Sequence, residues 1–124
     1  MNGKLVDTNV LIYLSKKELQ FEKVFSPSDK LFMSVITYME VLGYRFTSND
    51  DKYFIEALCK HIPSIELDSD IVEKVIHIRQ QYKIKLPDAI ILATAIIGNF
   101  DLVTANVKDF IDIVPDLRII NPFT

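Results

Sequence analysis

Asp7, Glu40 and Asp88 are the residues of this 124-residue chain whose types and settings could do chemistry, with Asn106 and Asp109 as a fourth, paired position. Asp7 ends the apolar run Leu5-Val6, Glu40 lies within Val35 to Leu42, and Asp88 opens the run Ala89 to Ile97. A carboxylate pressed against apolar surface is costly unless something positive pairs with it. Two unit negative charges about 4 Å apart repel by roughly 4 kcal/mol at an effective dielectric near 20. If these side chains converge, a bound cation is the simplest way for all of them to stay ionised. Hard oxygen donors select Mg2+ or Mn2+. Such an ion suits phosphodiester hydrolysis, which needs an activated water and neutralised phosphoryl charge.

The elements that must position these groups follow from periodicity and breakers. Lys4-Leu5-Val6 reads as a short buried strand, and Asn9 to Leu14 as a helix with Asp7 or Thr8 as its N-cap. Glu18 to Phe25 is a second amphipathic piece, stopped by Ser26-Pro27-Ser28. Leu31 to Ser34 is a strand. Thr37 is expected to cap a helix running through Glu40 towards Phe46, closed by Thr47-Ser48-Asn49. A helix over 51–61 precedes Pro63 and a strand over 64–67. Asp68-Ser69-Asp70 opens a long helix with Ile71, Val72, Val75, Ile78 and Tyr82 at a 3.6-residue period. Pro87 suits the first position of the helix carrying Asp88, and Gly98-Asn99 ends it. Strands over 102–104 and 117–120 complete the chain.

Short buried strands alternating with helices predict an α/β fold, a parallel sheet with helices on both faces, as one domain over 1–124. The ligand crevice of such a sheet lies beyond the carboxyl ends of its strands. Asp7 and the Thr104–Asn106 segment fall there, and Asp88 falls at a helix N-terminus, where the macrodipole favours an anion.

An apolar fraction of 49% with 25% charged residues describes a soluble globular protein, and the net charge of −3 argues against indiscriminate binding of polyanions. Attraction of a nucleic-acid substrate must then come from local cations, of which Arg45, Lys85 and Lys108, with Lys83, stand nearest the candidate acids. Tyr13, Tyr38, Tyr44 and Phe46 suit stacking on unpaired bases, or equally a core or a dimer surface. The single cysteine, Cys59, excludes an internal disulfide and favours a reducing compartment. No secretory signal is evident, and Ala89 to Ile97 falls well short of a bilayer span. The expectation is a cytoplasmic protein without a membrane anchor. The three glycines form neither a Walker pattern nor a dinucleotide fingerprint.

With those residues in place, the chain resembles the PIN-domain family, and within it the VapC-like toxin ribonucleases of type II toxin–antitoxin systems. The resemblance is carried by Val6-Asp7-Thr8-Asn9, by Ser34 to Glu40, by Lys85-Leu86-Pro87-Asp88-Ala89 and by Leu102 to Phe110, in that order and across essentially the whole chain. It implies an α/β/α sandwich and an acidic cluster holding Mg2+ or Mn2+. Matched motif by motif, Asp7, Glu40 and Asp88 are the core acids. The fourth position matches Asn106, where some members carry Asp; Asp109 stands about one helical turn later. The implied metal ligands are Asp7, Asp88, Glu40 and Asn106, with Asp109 among the catalytic residues. Thr8 and Thr104 would hydrogen-bond the carboxylates or a phosphate. The resemblance further implies a tRNA, rRNA or mRNA substrate, a cognate antitoxin and a homodimer.

Structural readings compete at each position. Asp7 serves equally as an N-cap, Asp88 as decoration of a first helical turn, Glu40 as a solvated helix residue. Asp68, Asp70 and Glu73 read as capping of the long helix, His61 and His77 lack zinc-spaced partners, and Cys59 reads as a small filler. Two rival functions remain. One is a haloacid-dehalogenase-type phosphatase, which wants a second Asp two residues after the first; Asn9 stands there. The other is a non-catalytic PIN-like binding module.

Overall fold

The structure, a computed structural model, describes residues 3–124. The chain runs β1 (Lys4–Val6), α1 (Thr8–Ser15), α2 (Phe21–Val24), β2 (Leu31–Ser34), α3 (Val35–Leu42), α4 (Asn49–His61), β3 (Ser64–Ile65), α5 (Ser69–Gln81), α6 (Leu86–Ile97), β4 (Asp101–Val103), α7 (Val107–Phe110) and β5 (Ile119–Ile120). The five strands are parallel in the order β3-β2-β1-β4-β5.

Successive strand residues point to opposite faces, and here both faces are covered. Leu5 and Leu102 pack with Ile71, Val75 and Ile78 of α5 and with the buried run Ala89 to Ala95 of α6. Their neighbours Val6 and Val103 pack with Met33 and with Val10, Val41 and Ile55 of α1, α3 and α4. This doubly covered sheet is the α/β/α sandwich expected, and it explains why the strands read as continuous apolar runs.

The chain lays β1, β2 and β3 outward in one direction, then returns to place β4 on the other side of β1. The strand order therefore reverses between β1 and β4. That reversal opens a crevice at the carboxyl ends of those two strands, immediately before Asp7 and Thr104.

Several boundaries differ from the sequence reading. Ser34, not Thr37, caps α3, accepting the Ile36 N–H at 3.2 Å. Thr37 is the third residue of that helix and fully buried. The helix ends at Leu42 rather than near Phe46, because Gly43 closes its last turn with its N–H on Met39 O. Ser48 starts α4 at Asn49 by accepting the Asp50 and Asp51 N–H groups. Only two residues of each expected edge strand, Ser64–Ile65 and Ile119–Ile120, pair in the sheet. Val72 and Tyr82 face solvent, so the buried stripe of α5 is narrower than its periodicity suggested. Pro87 is the second residue of α6, not the first.

Other expectations stand. Asp68 caps α5 by accepting the Ile71 N–H at 2.8 Å. Gly98 and Asn99 end α6 in a Schellman turn, with Asn99 at φ 54°, Phe100 N–H on Ala95 O and Asn99 N–H on Ile96 O. Cys59 is half-buried, and burial pushes its thiol pKa up, away from nucleophilic use. Among the described residues no helix is long and apolar enough to cross a membrane.

Candidate active site

Asp7 is the first residue beyond β1 and caps α1; its extended backbone, φ −70° and ψ 154°, turns the chain from strand into helix. Its side chain is 3% exposed, and both carboxylate oxygens are held. Oδ1 accepts the Thr8 N–H at 2.7 Å, and Oδ2 accepts the Thr104 hydroxyl at 2.7 Å. Thr104 Oγ1 in turn accepts the Asn106 N–H at 3.0 Å, while Asn9 Oδ1 accepts the Ala105 N–H at 3.4 Å. The turn beyond β4 is thereby fastened to the turn beyond β1.

Burial pushes the Asp7 carboxyl up to about 6, from an ordinary 3.8. The bonds from Thr104 and Thr8 oppose that rise, and the negative charges of Asp88 and Glu40 add to it. Asp88 sits in the first turn of α6, half-buried. Its carboxyl is also raised, by burial first and then by the charges of Asp109 and Glu40, against the pull of Lys85. Glu40, on α3, accepts the Thr8 hydroxyl on Oε1 at 2.6 Å. Carboxylates that raise one another in this way form an electrostatic cluster that attracts a cation.

A cleft of about 520 Å3 is lined by Asp7, Thr8, Glu40, Arg45, Asp88 and Asn106. Asp88 also borders a second cleft of about 500 Å3, together with Lys85, Lys108 and Asp109. The three core acids, Asn106, Thr8 and Arg45 thus come together, whereas Asp109, Lys85 and Lys108 line the second cleft, which shares Asp88 with the first. Both threonine hydroxyls serve carboxylates: Thr104 is fully buried and faces Asp7, and Thr8 faces Glu40. The sequence reading had not singled out Ile12 or Ile91, which also line the first cleft. Ile91 lies three residues after Asp88 on one helix face, a spacing too common to stand out, and Ile12, five residues after Asp7, carried no such signal.

Among the described residues no three Asp, Glu, His or Cys side chains close on one point as a ready ligand shell. The fit is therefore to an ion that keeps much of its own water, as Mg2+ does when one or two carboxylates hold it. All side-chain donors in the cleft offer oxygen, which suits Mg2+ and Mn2+ over softer metals.

The sequence profile of the PIN domain matches residues 4–114. The chain belongs to the PIN-domain family. Among curated proteins none matches it. Among solved structures this PIN domain is similar to a chain of a toxin–antitoxin complex from Klebsiella pneumoniae, with 34% identity, 96% of this chain and 97% of that one covered, and a TM-score of 0.73. It is similar as well to a chain of a VapBC complex from nontypeable Haemophilus influenzae, 26% identical over 98% of both chains, with a TM-score of 0.75. It shares its fold with a chain of a DNA-bound VapBC complex from Salmonella typhimurium, at 20% identity, 96% and 97% coverage and a TM-score of 0.79. This PIN domain is thus VapC-like, as its motifs imply.

Proposed function

We infer that this PIN domain is a divalent-metal-dependent endoribonuclease, the toxin of a toxin–antitoxin pair. The observation that carries the reading is the meeting of Asp7, Glu40 and Asp88 on one cleft at the strand-order reversal, where burial first, and then the neighbouring negative charges, raise the carboxyls of Asp7 and Asp88. Asp7 and Asp88 would hold the ion, Mg2+ or Mn2+, with Asn106 adding a carbonyl oxygen but no charge. When bound, the ion supplies neutralisation of the phosphoryl oxygens and a more acidic attacking water. Glu40, fixed through Oε1 by Thr8, orients that water and takes its proton. Asp109 acts on Asp88 from the neighbouring cleft. Arg45 on one side of Asp88, and Lys85 and Lys108 on the other, bind phosphates flanking the scissile bond, so the RNA strand crosses over Asp88.

The likeness to chains of toxin–antitoxin complexes supports a cognate antitoxin as partner. So do the large apolar side chains exposed on α3 (Tyr38, Met39, Leu42) and on α4 (Tyr53, Phe54), two helices that pack against each other. The same family relation carries a homodimer and a cytoplasmic site of action. Sedimentation of the purified chain checks the former.

The test is to incubate antitoxin-free protein with structured and single-stranded RNA, single-stranded DNA and an aryl phosphomonoester, in Mg2+, Mn2+ or EDTA. Internal RNA cleavage that needs the ion is the expected result. Phosphomonoester turnover without RNA cleavage would replace the nuclease by a phosphatase, and RNA bound but uncut would leave a binding module.

A further inference from the structure

A threonine inside a helix commonly gives its hydroxyl to a carbonyl one turn back. Thr94 does so in α6, donating to Ile90 O at 2.7 Å. Thr37 departs from that habit. It is fully buried in α3, the helix that packs on α1, and its Oγ1 lies 3.0 Å from Thr8 Oγ1. Thr8 Oγ1 also lies 2.6 Å from Glu40 Oε1.

One hydroxyl carries one proton but can accept two hydrogen bonds. An ionised Glu40 can only accept, so Thr8 donates to Glu40 along the shorter contact. The placement of the two oxygens also suits Thr8 as donor to Thr37, but with its one proton committed to Glu40 along the shorter contact, the Thr37 hydroxyl is left as the donor of that pair. The direction of the whole chain, Thr37 to Thr8 to Glu40, follows from that proton count. Thr37 and Glu40 stand three residues apart on one helix face, and Thr8 bridges them from the neighbouring helix.

We propose that Thr37 is a positioning residue: its hydroxyl fixes the Thr8 proton towards Glu40 Oε1 and so holds the Glu40 carboxylate in the cleft. Without the Thr37 donor, the Thr8 hydroxyl is held by its bond to Glu40 alone, and the Thr8–Glu40 pair loses the contact that fixes it against α3. This inference rests on the nuclease reading for its functional half only, because the hydrogen-bond chain exists in the metal-free protein.

Two substitutions separate the hydroxyl from the methyl group of Thr37. Thr37→Val keeps the shape and removes the hydroxyl, and Thr37→Ser keeps the hydroxyl and removes the methyl. Three quantities are read on each folded variant: the 13C resonance of the Glu40 carboxylate without metal, the Mn2+ dissociation constant, and kcat with KM for RNA. Thr37→Val is expected to shift the Glu40 resonance, weaken Mn2+ binding and lower kcat on the order of tenfold, as loss of a partner behind a metal-site group does. KM for RNA is expected to stay within about twofold, and Thr37→Ser to match the wild type in all three, as the hydroxyl relay requires.

If the Thr37 methyl group matters only for packing, the pattern reverses: valine is silent and serine loses thermal stability. That reversal, or an unmoved Glu40 resonance in Thr37→Val, overturns the proposal while leaving the nuclease reading intact. A wild-type protein that neither binds Mn2+ nor cuts RNA overturns the nuclease reading and the functional half of the proposal together. The metal-free resonance still decides the relay by itself.

Discussion

The Thr104 hydroxyl donates to Asp7 Oδ2 across 2.7 Å and joins residues 97 positions apart in the chain. Parallel pairing of β1 with β4, Val6 beside Val103, brings the two strand ends to this distance. The bond stabilises the ionised form of a buried carboxylate, and the Asn106 N–H behind it keeps the Thr104 oxygen in place.

Thr104→Val is expected to destabilise the metal-free protein by about 1–3 kcal/mol at pH 7.5, the usual cost of stripping a partner from a buried charged acceptor. The loss shrinks at pH 5, where Asp7 is largely protonated. Urea melts of the variant at both pH values check this.

Asp7 also sets a pH dependence. Its folded-state pKa, about 6, lies above the ordinary 3.8 of an unfolded chain. The folded state therefore holds the proton more tightly between those values. The stability this contributes is fully present below pH 3.8 and is lost as pH rises through 6, a change of about 3 kcal/mol. Asp29, whose carboxyl the Ser26 N–H and Lys4 hold down, contributes in the opposite direction. The Asp7 share is thus the difference between the pH profiles of wild type and Asp7→Asn, which should nearly coincide at pH 4, separate as pH rises from 4 to 6 and run parallel above that, with the variant more stable.

Position relative to Asp88 ranks the remaining acids. Glu40→Gln alters the main cleft and should lower kcat by roughly 100-fold or more, the scale of removing a general base. Asp109→Asn alters only the neighbouring cleft and should cost about tenfold or less, as expected of a group that acts through another. Equal losses in single-turnover assays would instead put Asp109 at the reacting centre.

Arg45 lines one of the two clefts that Asp88 borders and Lys108 the other. Arg45→Ala and Lys108→Ala should each raise KM for RNA more than they lower kcat. Each should also flatten the plot of log affinity against log salt by about 0.7, one phosphate contact on a single strand. A variant that leaves the slope unchanged does not touch the RNA backbone.

The sheet and the acids were readable because burial on both faces of β1 and β4 forces apolar pairs such as Leu5-Val6 and Leu102-Val103, after which Asp7 and Thr104 mark the strand ends. The α6 helix was equally plain, from Pro87 to the Gly98-Asn99 turn. Less visible was the role of Thr37. Three residues before Glu40 it reads as a cap, and only the packing of α3 on α1 reveals that Ser34 caps the helix while Thr37 faces Thr8. The division of Asp88's surroundings into two clefts was hidden for the same reason. Asn106, Lys108 and Asp109 are neighbours in sequence, yet Asn106 lines the first cleft while Lys108 and Asp109 line the second with Lys85 of the α6 N-terminus. Edge strands were over-extended because residues such as Glu66 and Leu117 carry strand-like patterns that no neighbouring strand is there to pair.

Mn2+ binding by wild type and Asp7→Asn, followed by calorimetry at pH 7.5 and at pH 5, tests the central claim most directly. A cation site held by Asp7 and Asp88 predicts binding by the wild type that weakens at pH 5, where the proton competes at Asp7, and is lost in the variant. Binding of equal strength in both proteins, or none in a folded wild type, would contradict it.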